Sequence, residues 1–139
     1  MAKNEELFEV TTMFQMFLKG IAREWNSKGY KLNPNQFKVL KILMNSGPQK
    51  VSNLADALCI SSAAVTGITD QLLEDGYVKK ERGENDRRVV NITLTEKGKA
   101  EAEYLQKIQN ENLKARFDVL PDEEIQNLKR ILSLLNSSL

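Results

Sequence analysis

The first part of the chain carries an apolar stripe whose residues recur every three or four positions, from Leu7 through Phe14 to Trp25. That spacing matches one face of an α-helix and predicts a helix over residues 5–28. The stripe is broad and contains several aromatic rings, which is more apolar surface than an edge helix of a small domain usually buries. We therefore expect this helix to be covered on two sides.

The second predicted helix starts with three consecutive signals. Asn33 can cap it, Pro34 suits its first position, and Gln36 stands three residues after the cap. Its apolar positions continue to Met44, and the sequence Asn-Ser-Gly-Pro at residues 45–48 ends it.

Two short helices are predicted next, separated by three or four residues. Ser52 is expected to cap the first, and Ser61 or Ser62 the second, which ends at a left-handed Gly76. This gap is typical of a helix-turn-helix, in which one face of the second helix stays free, and we place the motif at about residues 52–75. The residues predicted to face inward are Leu54, Ala55 and Leu58 in the first helix, and Val65, Ile68 and Leu72 in the second.

After Gly76 the period of the pattern changes to two on both sides of the turn-rich sequence Gly-Glu-Asn-Asp-Arg-Arg at residues 83–88. Before the turn Val78, Lys80 and Arg82 alternate with Lys79 and Glu81, and after it Val90, Ile92 and Leu94 alternate with Val89, Asn91 and Thr93. This alternation predicts a β-hairpin, or wing, over about residues 77–94. Thr95 is expected to cap a long helix, and Pro121 with the three acidic residues after it opens a last one. The predicted fold is mainly α with a small β-hairpin: a winged helix-turn-helix domain with helical arms.

Composition narrows the classes of protein that fit. The 139 residues suit one compact domain or two small, intimately packed units, and the sequence lacks the run of about 20 apolar residues that a membrane span needs. The first ten residues contain three glutamates and do not resemble a signal peptide, so we expect a cytoplasmic protein with no membrane partner. The net charge is only +1, so any contact with nucleic acid must be concentrated in one place.

The residue types argue against an enzyme. With no histidine and one cysteine, the sequence offers neither the usual zinc and iron ligand sets nor a histidine-activated nucleophile. The carboxylate clusters at residues 74–75 and 122–124 stand at helix ends, where the helix dipole and solvation explain them. We expect no catalytic residue, cofactor or metal. Cys59 is expected to be a small buried apolar residue rather than a reactive thiol, because no cationic residue adjoins it in sequence.

The outward positions of the second short helix carry short side chains that can form hydrogen bonds. A helix of this length fits the major groove of B-DNA, where such side chains can contact phosphates and base edges. On an isolated helix simple solvation would explain them better, but the neighbouring hairpin favours DNA. The candidate contacts on this helix are Ser61, Ser62, Thr66, Thr69 and Gln71.

The tip of the hairpin carries a second candidate. Asp86 and Arg88 are two residues apart, close enough for the carboxylate to hold the guanidinium in one direction. An oriented arginine on a thin ribbon suits the narrow, electronegative minor groove. Arg87, Arg82 and Lys80 are then expected to contact phosphates. The alternative is an ordinary exposed ion pair at a turn.

The stretch from Leu54 to Gly98 resembles the DNA-binding core of the MarR family of bacterial transcriptional regulators, most specifically in the Asp-x-Arg of the wing and the Leu-Thr that follows it. The resemblance implies a ligand-responsive repressor that binds a palindromic operator as a homodimer, and it assigns the minor-groove role to Asp86 and Arg88. The expected organisation is a single unit over 1–139, with dimerisation helices at 5–32 and 101–139 and a DNA-binding region at 33–100. Other matching positions are Leu54-Ala55, Ile60-Ser61, Val65-Thr66, Leu72-Leu73 and Gly76-Tyr77-Val78.

One position departs from the family pattern. Many members carry an arginine directly after the Val-Thr of the second short helix, where it can form two hydrogen bonds with guanine, and here that residue is Gly67. Base contacts are therefore expected to be weaker or to shift to Thr66, Thr69 and Gln71. Glycine also costs roughly 1 kcal/mol of helix propensity. Either the backbone approaches something closely there, or the site tolerates the loss.

Partners follow from the apolar residues and from the resemblance. The first and the last two helices carry more apolar side chains than one wing domain covers, which predicts a homodimer; the alternative is a monomer in which these helices close on themselves. The resemblance places a small effector between the first two helices and the base of the long helix, with Phe14 and Phe17 as candidate walls. A winged-helix module that binds proteins and not DNA is the alternative function, and it would show no salt-dependent DNA affinity.

Overall fold

A computed structural model describes residues 2–139. Over this range the chain forms six α-helices and one two-stranded antiparallel sheet, so the predicted fold class is confirmed. The described residues divide into two compact units, and the division falls inside the fifth helix after Ala102. The elements are α1 (Ala2–Ser27), α2 (Pro34–Ser46), α3 (Val51–Leu58), α4 (Ser62–Glu74), β1 (Val78–Arg82), β2 (Val90–Leu94), α5 (Glu96–Phe117) and α6 (Asp122–Ser137).

Trp25 holds the end of α1 in the core of the first unit. Its indole ring stacks on Phe37 with a centroid distance of 5.4 Å and lies 4.6 Å from the ring of Tyr30. Its buried Nε1–H donates a hydrogen bond of 2.8 Å to the carbonyl of Leu32, so burying the ring leaves no donor unsatisfied. The cluster thereby fixes where α1 leaves the domain relative to α2.

The predicted start of α2 is confirmed. The Asn33 side chain accepts a 2.8 Å hydrogen bond from the backbone N–H of Gln36, and the Gln36 side chain accepts one of 2.9 Å from the backbone N–H of Asn33. This reciprocal pair satisfies two N–H groups that a helix end otherwise leaves open. At the other end Gly47 adopts a positive φ of 78°, which ends the helix where the sequence predicts.

The prediction that Ser52 caps α3 is wrong. The helix starts at Val51, with Lys50 at the N-cap and no capping side chain. The backbone of Gln49 pairs with Ile92 of β2 through hydrogen bonds of 3.1 and 2.7 Å, which holds this segment extended up to the helix start. For α4, Ser61 is the cap, because its hydroxyl accepts a 3.1 Å hydrogen bond from the N–H of Ala64.

The prediction that Cys59 is buried is also wrong. Cys59 ends α3 in the left-handed conformation, with φ 57° and ψ 40°, and its side chain is exposed. Its backbone N–H donates to the carbonyl of Asp56 and closes the last turn. The flanking Leu58 and Ile60 are half-buried instead, because the left-handed residue changes the direction of the chain between them.

The predicted hairpin is confirmed, but burial does not alternate along its strands: only Val78 is buried in β1, and the adjacent Ile92 and Thr93 are both buried in β2. Val78 pairs with Leu94 and Lys80 with Ile92, and the inner face is buried at Val78 and Ile92. Because side chains alternate along a strand, this register keeps the apolar positions on the domain side of the ribbon. The polar positions of β1 face solvent from Lys79 onward.

The junction between α4, β1 and α5 is closed by Thr95, which caps α5 as predicted. Its hydroxyl accepts a 3.0 Å hydrogen bond from the N–H of Gly98 and donates one of 2.7 Å to the carbonyl of Gly76. A Cβ on Gly98 would overlap the carbonyl oxygen of Tyr77. Lys97 adds a 2.6 Å hydrogen bond to the carbonyl of Asp75 and places its ammonium 4.6 Å from the centre of the Tyr77 ring.

Each unit leaves apolar surface exposed. In the second unit, the end of α5 and α6 enclose an open cavity of about 590 Å³ with a largely apolar lining, and α6 contains no fully buried residue. The apolar residues of its lining are Leu113, Phe117, Leu120, Ile125, Leu128 and Leu132. In the first unit, the large exposed apolar residues of α1 are Leu7, Phe8, Val10, Met13, Phe14, Met16, Phe17 and Leu18.

None of the helices between residues 2 and 139 is by itself long and apolar enough to cross a membrane. The pair α3 and α4 together reaches the required length and composition, but the two are bent by 112° at their break.

The same substitution at two helical glycines is expected to change the free energy of unfolding in opposite directions. Gly98→Ala should lower it by about 1–3 kcal/mol, because the added methyl group must displace the Tyr77 carbonyl. Gly67→Ala should raise it by about 0.5–1 kcal/mol, because no atom lies within 4 Å of the new Cβ and alanine favours the helix. Urea unfolding followed by circular dichroism measures both. Equal stability of the two variants would contradict the tight contact at Gly98.

Candidate nucleic-acid interface

Helix α4 presents a polar exposed face beside the wing. Thr66 donates its hydroxyl hydrogen to the carbonyl of Ser62 at 2.9 Å, and the Gln71 amide donates to the carboxylate of Asp75 at 3.1 Å. These side chains are thus held in place and still face solvent. Of the five predicted contacts on this helix, the four that the structure leaves exposed are Ser61, Ser62, Thr66 and Gln71.

The prediction that Thr69 faces outward is wrong. Its side chain is only 1% exposed, and its hydroxyl donates a 3.1 Å hydrogen bond to the carbonyl of Thr66. Thr69 follows Val65 by four residues and precedes Leu72 by three, so it shares their inward face. The hydrogen bond to the preceding turn satisfies the hydroxyl and lets a polar residue occupy a core position.

The middle of the exposed face carries no long side chain. Ala63, Gly67 and Asp70 follow one another at helical spacing and are all exposed. A Cβ built on Gly67 meets no atom within 4 Å, so no close approach within the chain requires a glycine here. The sequence of α4 contains no lysine or arginine, and its exposed charges are the carboxylates of Asp70 and Glu74.

The tip of the wing contains the predicted oriented arginine. The backbone N–H of Arg88 donates to Asp86 Oδ1 at 3.0 Å, and its guanidinium donates through Nε to Oδ1 at 3.2 Å and through Nη2 to Oδ2 at 3.4 Å. The side chain of Arg88 is 92% exposed, and that of Asp86 44%. The carboxylate is therefore the inner partner, and the arginine projects from the tip.

The rest of the loop is fixed by its own backbone. Gly83 donates its N–H to the Val89 carbonyl at 2.9 Å, and Val89 donates to the Asp86 carbonyl at 3.1 Å. Arg82 donates from Nη1 to the carbonyl of Arg87 at 2.7 Å. Arg82 thus stabilises the loop through this hydrogen bond, and the side chains of Arg82 and Arg87 are both exposed.

Comparison with known proteins decides the family. The MarR family model matches residues 32–90, which span α2 to β1 and the wing tip. The uncharacterized HTH-type transcriptional regulator YpoP of Bacillus subtilis is 30% identical over 135 residues, which is 96% of each chain. The chain belongs to the MarR family. A second regulator described in the same words, YfiV of B. subtilis, is 38% identical over 104 residues, 75% of this chain and 65% of YfiV.

Solved structures share the fold of this MarR-family chain. A MarR family protein from Bacillus stearothermophilus is 27% identical, with a TM-score of 0.78 over 98% of this chain and 94% of that one. A mutant MarR from E. coli, solved in complex with operator DNA, is 23% identical, with a TM-score of 0.83 over 94% and 95% of the two chains. The second likeness concerns the fold alone.

Lys50, which no sequence pattern singles out, is a further cation whose charge acts on the tip of the MarR-type wing. The charge of Lys50, at the start of α3, acts on the Asp86 carboxylate. The pairing of Gln49 with Ile92 brings this segment to the sheet, and the ammonium of Lys50 is exposed. The Gly-Pro at residues 47–48 predicts a loop before Lys50, but only the pairing of Gln49 with Ile92 brings that loop to the sheet.

Phe14 and Phe17, the predicted effector residues, lie on α1 with 39% and 38% of their surface exposed. Within residues 2–139, no cluster of three or more His, Cys, Asp or Glu side chains could hold a metal ion.

Titration of Asp86 provides a test of the wing geometry. The backbone N–H of Arg88 and then its guanidinium hold the pKa of Asp86 below its ordinary value. Burial opposes them to a smaller extent, and the charge of Lys50 adds the smallest lowering effect. Arg88→Ala should raise this pKa only part of the way back, because the backbone hydrogen bond remains. Carbon-detected NMR of the carboxyl group measures it.

The sign of the pH dependence follows from the same shift. A carboxyl group whose pKa is lowered by folding contributes its stabilisation above its unfolded pKa, and loses it as the pH falls through the folded value. Acidification below both values should therefore release Arg88 from its fixed direction. A full return of the Asp86 pKa in Arg88→Ala would contradict the dominant role of the backbone N–H.

Proposed function

We propose that this MarR-family protein is a sequence-specific DNA-binding transcriptional regulator, a ligand-responsive repressor that binds a palindromic operator as a homodimer. The observation that carries the proposal is the exposed Arg88 guanidinium, held in one direction by Asp86 at the end of a thin ribbon. Backbone hydrogen bonds from Gly83 to Val89 and from Val89 to Asp86 close the loop, and the Asp86 carboxylate in addition holds the guanidinium.

Helix α4 is the element that would enter the major groove. Its 13 residues extend about 20 Å, and its exposed face carries small or hydrogen-bonding side chains that allow a close approach. Ser61, Ser62, Thr66 and Gln71 lie on this exposed side. Thr69 takes no part, because it belongs to the core.

The wing would place Arg88 in the adjacent minor groove, which is narrow and electronegative. The exposed side chains of Arg87 and Lys80 are suited to phosphates. Lys80 lies 4.0 Å from the carboxylate of Asp70, so DNA phosphates would compete with that long surface ion pair. Arg82 can contact phosphates only through the guanidinium N–H groups that do not donate to the carbonyl of Arg87.

A homodimer would bury the exposed apolar surfaces. The large apolar residues along α1 are up to 76% exposed. Large contiguous apolar patches on protein surfaces commonly mark interaction sites. A two-fold dimer would also present two copies of α4 to half-sites about one helical turn, roughly 10 bp, apart.

The ligand response belongs to the same proposal. A small molecule wedged between the first two helices and the base of α5 would change the spacing of the two copies of α4. The partly exposed rings of Phe14 and Phe17 would offer it an aromatic wall.

Substitutions in the wing test the DNA contacts. Arg88→Ala should weaken operator binding by about 10- to 100-fold, the scale of one specific contact. Asp86→Ala should lose part of that, and the double variant less than the two losses combined, because both remove the same oriented group. Arg88→Lys, which keeps the charge but not the fork, should not restore the affinity if Arg88 contacts bases. Fluorescence titration with the operator duplex measures all four.

Arg87→Ala is the matched comparison at the neighbouring residue. It should weaken binding to all duplexes evenly and reduce the salt slope by about one unit, as loss of a phosphate contact does. If Arg88→Ala binds the operator normally and Arg87→Ala does not, Arg87 and not Arg88 makes the specific contact. If neither matters, the wing is not a DNA element; if no duplex binds in a salt-dependent way, the protein-binding module is the better description.

Sedimentation at micromolar concentration tests the homodimer. The wild-type chain should sediment as a dimer, and Val10→Glu should shift it toward monomer, because a charge would then stand in the exposed apolar stripe of α1. Ala100→Glu adds the same charge at an exposed position of α5, outside α1, and should leave the dimer intact. A monomeric wild type at this concentration would contradict the proposal.

A further inference from the structure

The exposed face of α4 begins with small residues and carries no cation along its length. We propose that this face recognises thymine methyl groups, so that the operator half-sites are rich in A·T pairs where they face α4, and that Gly67 sets this preference. The inference rests on the proposed function and specifies its DNA target.

The first step is the shape of the surface. Ala63 and Gly67 are one turn apart on the exposed side, and no atom lies within 4 Å of the Cβ position of Gly67. The helix backbone can therefore come closer to the floor of the major groove than a helix with long side chains. At that distance methyl groups of the protein meet the C5-methyl of thymine, the one apolar group that a base pair offers in the major groove.

The second step is the chemistry of Thr66, which stands beside Gly67. Its hydroxyl hydrogen is used in the 2.9 Å bond to the carbonyl of Ser62. What Thr66 offers to a ligand is therefore its methyl group and an acceptor oxygen. The methyl group suits thymine, and the oxygen can accept from the N6 amino group of the adenine that pairs with it.

The third step is the unsuitability of guanine. Guanine shows only acceptors in the major groove, and its commonest partner is an arginine or lysine, which α4 does not contain. The carboxylates of Asp70 and Glu74 continue the exposed face toward the end of α4. They repel the acceptor edge of guanine but can accept from the amino groups of adenine and cytosine, so the expected A·T preference is confined to the positions opposite the start of the helix. The nearest ion-pair partner of this face is Lys80 on β1, 4.0 Å from Asp70, and it lies on the wing and not on the helix.

The minor-groove element favours the same composition. Tracts of A·T pairs narrow the minor groove and strengthen its negative potential, which attracts arginine. The outward Arg88 would thus gain most from A·T pairs at the positions under the wing. Helix and wing, which lie side by side, share one preference.

Selection from random duplex DNA tests the inference. The wild-type homodimer should recover duplexes with A·T pairs opposite the start of α4. Gly67→Arg should recover duplexes with guanine at one of these positions, because its guanidinium can form two hydrogen bonds with O6 and N7. Ala100→Arg adds the same charge at an exposed helical position outside α4, and it should recover the wild-type sequences.

Removal of single methyl groups is the sharper test. In the selected duplex, deoxyuridine in place of a thymine that faces α4 should weaken binding by about fourfold, the factor for one buried methyl group. Thr66→Ser removes the protein's methyl group, and in this variant the same base change should have a smaller effect. Deoxyuridine outside the half-sites is the control and should have none.

The outcomes separate the inference from the proposed function. Selected half-sites with G·C pairs opposite α4, or wild-type binding that is indifferent to deoxyuridine, would overturn the inference and leave the DNA-binding regulator intact. Failure to recover any duplex would overturn both. Recovery of guanine by Gly67→Arg together with the fourfold methyl effect would support the inference.

Discussion

The contact between the start of α5 and the turn after α4 is the constraint on which the DNA-facing surface depends. The carbonyl of Tyr77 lies where a side chain on Gly98 would begin, and the hydroxyl of Thr95 links Gly76 to the first turn of α5. The N–H of Thr95 also donates to Tyr77 at 3.1 Å. The end of α4, the base of the wing and the start of α5 therefore meet without room for adjustment. Helix and wing keep one relative position, as a surface that contacts two adjacent grooves requires.

Charge is divided between these two elements. α4 carries carboxylates and no cation, whereas the wing carries the exposed arginines and Lys80. With a net charge of +1, attraction to phosphate depends on local charge, and the wing at residues 77–94 carries five basic and three acidic side chains. Asp86 reduces that attraction by one charge and in return fixes the direction of Arg88. This exchange favours selectivity for a site over general affinity for DNA.

Much of the fold could be predicted from the sequence, because its signals are local. The capping pair of Asn33 and Gln36 spans three residues, and Asp86 and Arg88 are two residues apart, so these partners in space are also neighbours in sequence. The hairpin pairs residues up to 16 positions apart, from Val78 to Leu94, but the turn-rich loop between its strands marks it in the sequence.

The errors have non-local or ambiguous causes. Thr69 lies on the inward face although its residue type suits either side, and a hydrogen bond to the preceding turn satisfies it. Cys59 is exposed because the chain turns through a left-handed residue that is not glycine. Lys50 reaches the wing through the pairing of Gln49 with Ile92, more than 40 residues away, for which the sequence contains no pattern. The proposed binding mode can be examined in a crystal structure of the chain with a selected operator duplex. We expect the two copies of α4 in major grooves one helical turn apart and the guanidinium of each Arg88 at base edges in the flanking minor groove. Arg88 directed into solvent, or α4 outside the major groove, would rule out this binding mode.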